Sequence, residues 1–411
     1  MSSPTHDPTR RTILKAGSLA ALGAALPSVA SAQVAGNSTL KLALIGCGGR
    51  GSGAVVQSLQ NEGVQLVAMA DAFQDRIDGV HRNLSKRYGD KKDKFDVPKE
   101  RQFVGFEAYK KAIDLADVVI LTTPPGFRPM QFEYAVEKGK HIFMEKPVAV
   151  DGTGIRKVLE AAKKADEKNL KVVVGLQRRY DASYRNMLEK IKEGAMGDLV
   201  SAQVYWNSGG VWVKGRDAGQ SEMEYQMRNW YYFNWLCGDH IAEQHIHNID
   251  VANWFNDSFP VRAQGMGGRQ VRVGKDFGEI FDHHYVEFGY ENGFTVNSQC
   301  RHQRNTLSRV TEIFSGSKGK AYTSGMRIIG SDGSKINCKA KGKNPYQFEH
   351  DELYRHIRGD IAINNAYYGA KSTLTSIMGR MATYTGKEVT WDQALNSKLD
   401  LMPKTLAWDA D

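Results

Sequence analysis

Short, mostly apolar runs recur at intervals through the first half of the chain. Five of them end at glycine, proline or polar residues, and they cover residues 40–45, 64–70, 116–121, 141–144 and 171–175. Runs of this length, separated by enough residues for a helix, are typical of buried parallel strands in βαβ units. The pattern predicts an α/β domain with a parallel sheet over residues 38–175.

Apolar and polar residues alternate instead in the second half of the chain. Four alternating segments, separated by turns that contain glycine, cover residues 261–264, 284–288, 294–297 and 310–314. This period of two residues predicts an α+β domain over residues 176–365 with a large open antiparallel sheet. A last helix near residues 367–384 ends at Gly386, and we expect residues 366–411 to pack back on the first domain.

The N-terminus resembles an export leader. Arg10 and Arg11 precede a mildly apolar run over residues 16–30, which ends in the small-residue sequence Ala-Ser-Ala before Gln33. Paired arginines in this position are the address read by the twin-arginine export machinery. The run is short and contains Pro27, so we expect no stable membrane anchor. Residues 1–32 are therefore predicted to be a twin-arginine signal peptide of a periplasmic protein.

The charged residues exclude one class of partner. The 411-residue chain carries 55 basic and 46 acidic side chains, a formal net charge of +9. The basic residues are scattered and form no stripe of Lys and Arg interleaved with aromatic residues. Nucleic-acid binding needs such a stripe, so no nucleic-acid partner is expected.

The first predicted strand runs directly into a glycine-rich turn, GCGGRG. In dinucleotide-binding Rossmann folds, such glycines permit the tight turn, the approach of pyrophosphate to the backbone and the packing of helix on strand. The predicted cofactor-binding residues of this turn are Gly46, Gly48, Gly49, Arg50 and Gly51.

The second predicted strand ends at Asp71, about 20 residues beyond the last of these glycines, where a ribose-binding carboxylate is found. A carboxylate accepts hydrogen bonds from the ribose 2'-hydroxyl and repels a 2'-phosphate, which favours NAD. Arg50 and Arg76 leave NADP open as an alternative.

Polar residues and prolines follow the later predicted strands. Ligands of open α/β sheets bind at these carboxyl ends. We predict cofactor contacts from Thr123, Pro124, Glu145, Lys146 and Gln177, and substrate contacts from Arg179 and Tyr180.

This order of motifs, GCGGRG, an acidic residue, TTPP and above all Glu145-Lys146-Pro147, resembles the glucose-fructose oxidoreductase and inositol dehydrogenase (Gfo/Idh/MocA) family. The resemblance covers nearly the whole chain after the leader. It implies that Lys146 reaches toward the nicotinamide and the reacting sugar hydroxyl, where an ammonium stabilises a developing alkoxide. It also implies subunit contacts through the open sheet, and therefore a homo-oligomer.

The densest group of ionisable residues lies within residues 237–254. Read as one helix, this segment brings His240, Glu243, His247 and Asp250 onto one face. Glu243 then lies one turn before His247, close enough to orient an imidazole that acts as a base near neutral pH. We therefore predict His247 and Glu243 as catalytic residues, with His240 and Asp250 as substrate contacts.

The resembling family has the same spacing of these residues, but it carries Asp in place of Glu243. Two other interpretations stay open. His240, Glu243 and His247 together resemble zinc ligands, and the histidines alone are compatible with filling a helix interior. No metal is predicted, because no His-Glu-x-x-His motif occurs.

Aromatic residues are dense just before this helix. Trp206, Trp212, Trp230 and Tyr232 lie in a segment that also holds several glycines and reads as a loop. Flat apolar rings with polar edges suit sugar rings, and they suit core packing equally. We predict substrate contacts from Trp230 and Tyr232.

The sequence thus predicts an exported NAD(P)-dependent oxidoreductase that acts on a carbohydrate or polyol. Because the cell envelope lacks a recycled nicotinamide pool, the cofactor is expected to be tightly bound and regenerated within each cycle. One alternative is an NAD-dependent glycosidase that works by transient oxidation and elimination, a chemistry that some relatives of the family use. A second alternative is a sugar-binding protein without turnover.

Overall fold

The computed structural model describes residues 38–410, and the predicted leader lies outside this range. The first half of this range forms a six-stranded parallel sheet in the order β3-β2-β1-β4-β5-β6. Its strands are β1 (Leu40–Ile45), β2 (Val64–Asp71), β3 (Gln102–Val104), β4 (Val118–Leu121), β5 (His141–Met144) and β6 (Val172–Val174). This order is that of the doubly wound Rossmann fold, as predicted.

Five helices alternate with these strands. They are α1 (Gly49–Leu59), α2 (Gln74–Tyr88), α3 (Ala108–Asp114), α4 (Arg128–Glu137) and α5 (Gly152–Glu167). The strands are almost completely buried, because helices cover both faces of the sheet. This burial explains why the strands appear in the sequence as apolar runs. The strand that was not predicted, β3, is three residues long and lies at an edge.

The second half of the chain builds a nine-stranded sheet in the order β14-β13-β12-β11-β7-β10-β9-β8-β15. Its strands are β7 (Leu199–Ser208), β8 (Arg262–Gly268), β9 (His283–Gly289), β10 (Thr295–His302), β11 (Arg309–Gly316), β12 (Gly319–Tyr322), β13 (Arg327–Gly330), β14 (Lys335–Asn337) and β15 (Val389–Thr390).

The large sheet is mixed rather than purely antiparallel. Among the described strands its pairs are antiparallel except for β7 and β10, which run parallel with Trp206 opposite Cys300. The reason is topological: after β7 the chain passes through four helices and returns to the sheet at β8, and the antiparallel strands β8, β9 and β10 then bring β10 beside β7. Strand β7 was not predicted, because its aromatic residues lie next to a glycine-rich loop.

The helices of the second half are α6 (Ala182–Lys192), α7 (Glu222–Arg228), α8 (Asn234–Cys237), α9 (His240–Glu243), α10 (Ile246–Phe255), α11 (Pro345–Arg358), α12 (Ala366–Thr385) and α13 (Trp391–Leu395). As predicted, α12 ends at Gly386, which adopts a left-handed conformation with φ of +67°. Within residues 38–410, no helix has both the length and the apolar character needed to cross a membrane.

Helix α11 returns to the first domain. Its residues Leu353, Tyr354 and Ile357 belong to the same apolar core as Leu40 and Leu42 of β1. The boundary predicted at residue 365 assigns this helix to the second domain, whereas its packing joins it to the parallel sheet. The return has a functional consequence, because the first turn of α11 reaches the cleft between the two sheets.

Candidate active site

The glycine-rich turn after β1 is shaped by two glycines and left open by two others. Gly46 has φ of +95°, and a Cβ there would lie 2.6 Å from the backbone nitrogen of Thr123. A Cβ on Gly51 would collide with the carbonyl oxygen of Gly46. Side-chain carbons on Gly48 or Gly49 would instead meet no protein atom within 4 Å. The backbone at the start of α1 is therefore accessible from the cleft, as phosphate binding requires.

Asp71 ends β2 beside this turn. Its carboxylate accepts hydrogen bonds from the backbone N–H groups of Cys47, at 2.6 Å, and Phe73, at 3.0 Å. Burial raises the pKa of Asp71. Both oxygens keep further acceptor capacity toward the cleft, so the group fits a ribose diol. Arg76 also lines this part of the cleft, with its guanidinium 3.9 Å from Asp75.

A buried arginine joins the turns that follow β4 and β5. The Arg128 guanidinium donates to the carbonyl oxygen of Thr123 at 2.7 Å and to that of Glu145 at 3.0 Å. Burial lowers the pKa of Arg128 to about 10, so it remains charged at neutral pH. The predicted residues Thr123, Pro124, Glu145 and Lys146 all line the cleft, and the Lys146–Pro147 peptide is cis. The sequence analysis missed Arg128, which lies four residues after Pro124.

Glu145 and Arg50 form an ion pair across the cofactor end of the cleft. Nε of Arg50 lies 2.5 Å from the Glu145 carboxylate, and its guanidinium lies 4.8 Å from the centre of the Tyr346 ring. The Tyr346 hydroxyl in turn accepts a hydrogen bond from the Gln177 amide at 3.0 Å. Tyr346 comes from the first turn of α11, and only the tertiary structure brings it to this position.

Lys146 and Glu243 meet at the boundary between the two domains. The Lys146 ammonium lies 3.2 Å from the Glu243 carboxylate and also donates to the Glu243 carbonyl oxygen at 2.5 Å. That carbonyl ends α9, and the chain turns at Gln244 and His245 before α10 begins. The prediction of one continuous helix was therefore wrong.

The break separates the partners that the predicted helix had joined. Glu243 faces Lys146, and no hydrogen bond joins it to His247 in the described part of the chain. The role predicted for Glu243, orienting the imidazole, is replaced by one in which it holds the lysine.

His247 lies in the first turn of α10 and lines the same cleft as Lys146. Its side chain is largely buried, and its ring lies 6.1 Å from that of Trp206. Burial, followed by the positive charges of Lys146 and Arg178, lowers the pKa of His247 well below its usual value. The imidazole is therefore neutral at physiological pH. A neutral base and an ammonium face one cleft, which is the pair of groups that proton transfer from an alcohol needs.

Two of the predicted substrate contacts form an internal ion pair. The guanidinium of Arg179 binds both carboxylate oxygens of Asp250, at 2.9 Å and 2.8 Å, and the hydroxyl of Ser372 donates to the same carboxylate. Asp250 is 1% exposed. The predicted residue Tyr180 is buried and donates to the Asn365 amide oxygen at 2.6 Å. These three predicted residues join α10 and α12 to the end of β6, and they are not among the described residues that line the cleft.

His240 and Tyr232 are also remote from the cleft lining. Nδ1 of His240 lies 2.8 Å from the Asp239 carboxylate and 3.4 Å from the Arg272 guanidinium, in a fully buried cluster. Burial lowers the pKa of His240 to about 4. Because His240 faces Asp239 and Glu243 faces Lys146, the zinc set considered from sequence does not converge. Tyr232 packs in an apolar cluster with Tyr231 and Phe233, and the Arg272 guanidinium lies 5.1 Å from the centre of its ring.

Tryptophans of the second domain line the cleft. Trp230 is one of them, with its ring 5.9 Å from that of Trp212, and Trp206 of β7 lies beside His247. Arg178, Lys214 and Gln244 also line the cleft and were not predicted. In the sequence, Arg178 and Gln244 differ from other polar residues only in standing next to the predicted residues Arg179 and Glu243. The direction of the backbone decides which residue of each pair faces the cleft, and that direction is set by the tertiary structure.

These parts line one cleft of about 830 Å³, which the glycine-rich turn and Asp71 share with Lys146, His247 and the tryptophans. The open backbone at Gly48, the carboxylate at the end of β2 and the volume of the cleft fit a dinucleotide with a small substrate beside it.

Comparison with known proteins agrees with this geometry. Residues 40–175 match the family model described as "Oxidoreductase family, NAD-binding Rossmann fold" (GFO_IDH_MocA), and residues 184–334 match the GFO/IDH/MocA C-terminal domain. An inositol 2-dehydrogenase from Rhizobium meliloti is 24% identical over 311 residues, which is 76% of this chain and 78% of that protein.

A glycosyl hydrolase family 109 protein from Shewanella pealeana is 27% identical over 183 residues, 44% of this chain and 38% of that protein. Among solved structures, an aldose-aldose oxidoreductase from Caulobacter crescentus superimposes with a TM-score of 0.66 at 18% identity. The superposition covers 86% of this chain and 99% of that one, and it shows the shared fold.

The family resemblance, the fold class and the NAD-binding domain predicted from sequence are thereby confirmed. The two matched models adjoin each other along the chain and correspond to its two sheets. This chain belongs to the GFO/IDH/MocA family of NAD-binding oxidoreductases.

Proposed function

We propose that this protein catalyses redox chemistry at a CH–OH group of a carbohydrate or polyol. The observation that carries the proposal is the shared cleft, which Lys146 and His247 line together with the glycine-rich turn and Asp71. The similarity to an inositol 2-dehydrogenase supports the substrate class. When bound, the nicotinamide supplies the acceptor for the hydrogen and two electrons of the carbinol C–H bond.

The roles of the protein residues follow from their charges. His247 accepts the hydroxyl proton at its imidazole, which is available because its lowered pKa keeps it neutral. Lys146 donates a hydrogen bond to the same oxygen and stabilises the negative charge that develops there. Glu243 holds the ammonium in place through its carboxylate at 3.2 Å and its carbonyl oxygen. The three residues come from the turn after β5, from α9 and from α10, so packing of the two domains brings them together.

The chemistry of Asp71 favours NAD over NADP. A carboxylate at the end of β2 repels a 2'-phosphate, whereas it accepts hydrogen bonds from a ribose diol. Arg76 lies near it, but the neighbouring Asp75 offsets its charge at 3.9 Å.

Export and cofactor retention belong to the same proposal. The paired arginines Arg10 and Arg11 direct the chain to the twin-arginine machinery and the periplasm. No nicotinamide pool recycles there, so the cofactor travels with the folded protein and stays tightly bound. Each cycle then regenerates the oxidised cofactor, because the reduced nicotinamide passes its two electrons and hydrogen either to a second sugar or back to an oxidised intermediate.

A redox-neutral glycosidase is a second candidate, and one observation favours it. That observation is the similarity to a protein named as a glycosyl hydrolase family 109 member. In this candidate cycle a glycoside is oxidised, loses its aglycone by elimination, adds water and is reduced. The cycle needs a base in the cleft beside the oxidised carbon, and His247 with Lys146 meets that need.

The open face of the large sheet suits a second copy of this chain. Met266 and Tyr285 lie opposite each other on β8 and β9 and are 71% and 36% exposed. Apolar side chains grouped on a sheet surface are typical of a subunit interface. We therefore propose a homo-oligomer that uses this face.

The central experiment measures cofactor and turnover together. Mass spectrometry of the protein as purified is expected to find bound NAD, and incubation with free sugars and polyols is expected to give paired oxidised and reduced products. Lys146→Met and His247→Gln should each reduce kcat/KM by about 10²–10⁴-fold, because each removes a group that handles the proton.

The exposed lysine variant Lys138→Met is the matched control and should retain full activity. Full activity in Lys146→Met or His247→Gln would refute the assignment of the site. A protein with neither bound NAD nor affinity for NAD or NADP would instead be a sugar-binding protein without turnover. Release of the aglycone from aryl glycosides without net NADH formation would identify the glycosidase.

A further inference from the structure

The end of the chain runs along the surface of the first domain. After α13, residues 396–410 form no helix or strand, and we refer to them as the C-terminal strap. The guanidinium of Arg156 donates to the carbonyl oxygen of Ser397 at 2.9 Å. The backbone N–H of Leu401 donates to the Asp151 carboxylate at 2.8 Å. Asp151 and Arg156, which make these hydrogen bonds, lie at the start of α5, so the strap is anchored there.

From this anchor the strap reaches the adenosine end of the cleft. Met402 and Leu406 pack against the apolar cluster beside α8. Trp408 then lies against two phenylalanines, with its ring centre 4.4 Å from that of Phe106 and 5.1 Å from that of Phe73. Trp408 is not among the described residues that line the cleft. It packs instead against Phe73 and Phe106, which do line it.

Phe73 and Phe106 form the wall of the cleft next to Asp71. Both line the cleft, Phe73 two residues after the ribose-binding carboxylate and Phe106 two residues after β3. In a Rossmann fold this end of the cleft receives the adenosine half of the dinucleotide. The two rings therefore border the part of the cofactor that is remote from the chemistry.

A second contact holds Phe73 from the other domain. The Arg228 guanidinium of α7 lies 4.0 Å from the centre of the Phe73 ring, and its Nη2 lies 3.3 Å from the Asp75 carboxylate. Arg228 also lines the cleft. Phe73 thus packs against Arg228 of the second domain and Trp408 of the C-terminal strap.

We propose that the C-terminal strap retains the cofactor, with Trp408 as the residue that holds Phe73 and Phe106 against the adenosine half. Movement of either ring opens this end of the cleft, and movement requires loss of its contact with Trp408. The strap therefore raises the barrier to dissociation of NAD without touching the reacting atoms. This inference rests on the proposed function, because a retained cofactor is what an exported enzyme requires.

The test compares release rates of NAD. Trp408→Ala removes the contact with both phenylalanines, and it should release NAD about fivefold faster than the unaltered protein and contain less NAD as purified. Leu399→Ala is the matched control, since Leu399 is an apolar strap residue that is 51% exposed and remote from the rings. It should release NAD at the unaltered rate. Dissociation is followed after loading with NAD and dilution into an NAD-consuming enzyme.

Three outcomes separate the inference from the proposed function. If the unaltered protein binds NAD and Trp408→Ala releases it at the same rate, the strap has no retaining role and the proposed function stands. If the unaltered protein has no affinity for NAD, the proposed function itself fails. If Trp408→Ala does not fold, the release of NAD is measured on Trp408→Leu and on a chain that ends at Pro403. An unaltered release rate in either variant, once it is shown to be folded, would overturn the inference.

Discussion

The charge of Lys146 contributes to the protonation state of His247 in this site. Lys146 contacts Glu243 directly, and its ammonium also lowers the pKa of His247, second only to burial. In the proposed mechanism the lysine therefore has two roles: it stabilises negative charge on the substrate oxygen, and it adds to the effect of burial in keeping the base unprotonated. Because protonated His247 cannot accept a proton, kcat/KM should fall only as pH falls through this lowered pKa, below about 6.5.

Neutralising the lysine tests this coupling. In Lys146→Gln the pKa of His247 should rise, because removal of a nearby positive charge favours the protonated imidazole. Histidine resonances in NMR titrations of the NAD-free protein measure the change, with His247→Gln used to assign the signal. Lys138→Gln should leave the His247 titration unaltered. A pKa that stays the same or falls in Lys146→Gln would contradict the coupling.

Among the elements, the turn between β1 and α1 combines two functions in six residues. Gly46 and Gly51 are needed by the protein itself, because a side chain on either collides with backbone atoms or a neighbouring threonine. Gly48 is not constrained by the protein, since a Cβ there meets no protein atom within 4 Å and its φ of −83° suits any residue. Within this turn, Gly46 and Gly51 are therefore required for folding, whereas Gly48 is required for the approach of the cofactor.

Two alanine variants separate these roles. Gly48→Ala should keep the melting temperature of the NAD-free protein and weaken NAD binding on the order of tenfold, because the new methyl group occupies the phosphate approach. Gly51→Ala should lower the free energy of unfolding by about 1–3 kcal/mol, because its Cβ overlaps the Gly46 carbonyl. Calorimetry of unfolding and of NAD titration measures both. Equal loss of stability in the two variants would refute the distinction.

At the scale of the whole molecule, buried histidines link folding stability to pH. Within residues 38–410, burial lowers the pKa of six histidines, with His141 and His240 each reaching about 4. The other four are His245, His247, His302 and His350. They are distributed over both domains, so their protonation affects the stability of the entire fold.

Folding stability should therefore fall steeply below about pH 6.5. Between the unfolded pKa and the lower folded pKa, the unfolded chain binds more protons than the folded one, so the free energy of unfolding decreases as pH falls. Each histidine contributes up to about 1.4 kcal/mol per pH unit in that window. Urea unfolding at pH 7.5, 6.5 and 5.5 measures the effect. Equal stability at pH 7.5 and 5.5 would contradict this account.

Much of the fold and part of the site could be predicted because the signals are local. Buried parallel strands require apolar side chains on both faces, so β1, β2, β4, β5 and β6 appear as runs in the sequence. The topology of the sheet brings the carboxyl ends of these strands to the cleft. Gly46, Asp71, Thr123, Glu145 and Lys146 therefore line it as predicted.

The sequence by itself determined the family, the doubly wound sheet, the NAD-binding turn and the lysine at the end of β5, because each depends on residues close together in the chain. Only the tertiary structure decided that Glu243 holds Lys146, that Arg179 and Asp250 pair inside the protein, that Tyr346 lines the cleft, and that Trp408 packs against two of the cleft's phenylalanines. These partners are distant in sequence, and their choice depends on how helices end and domains pack, which residue spacing does not encode.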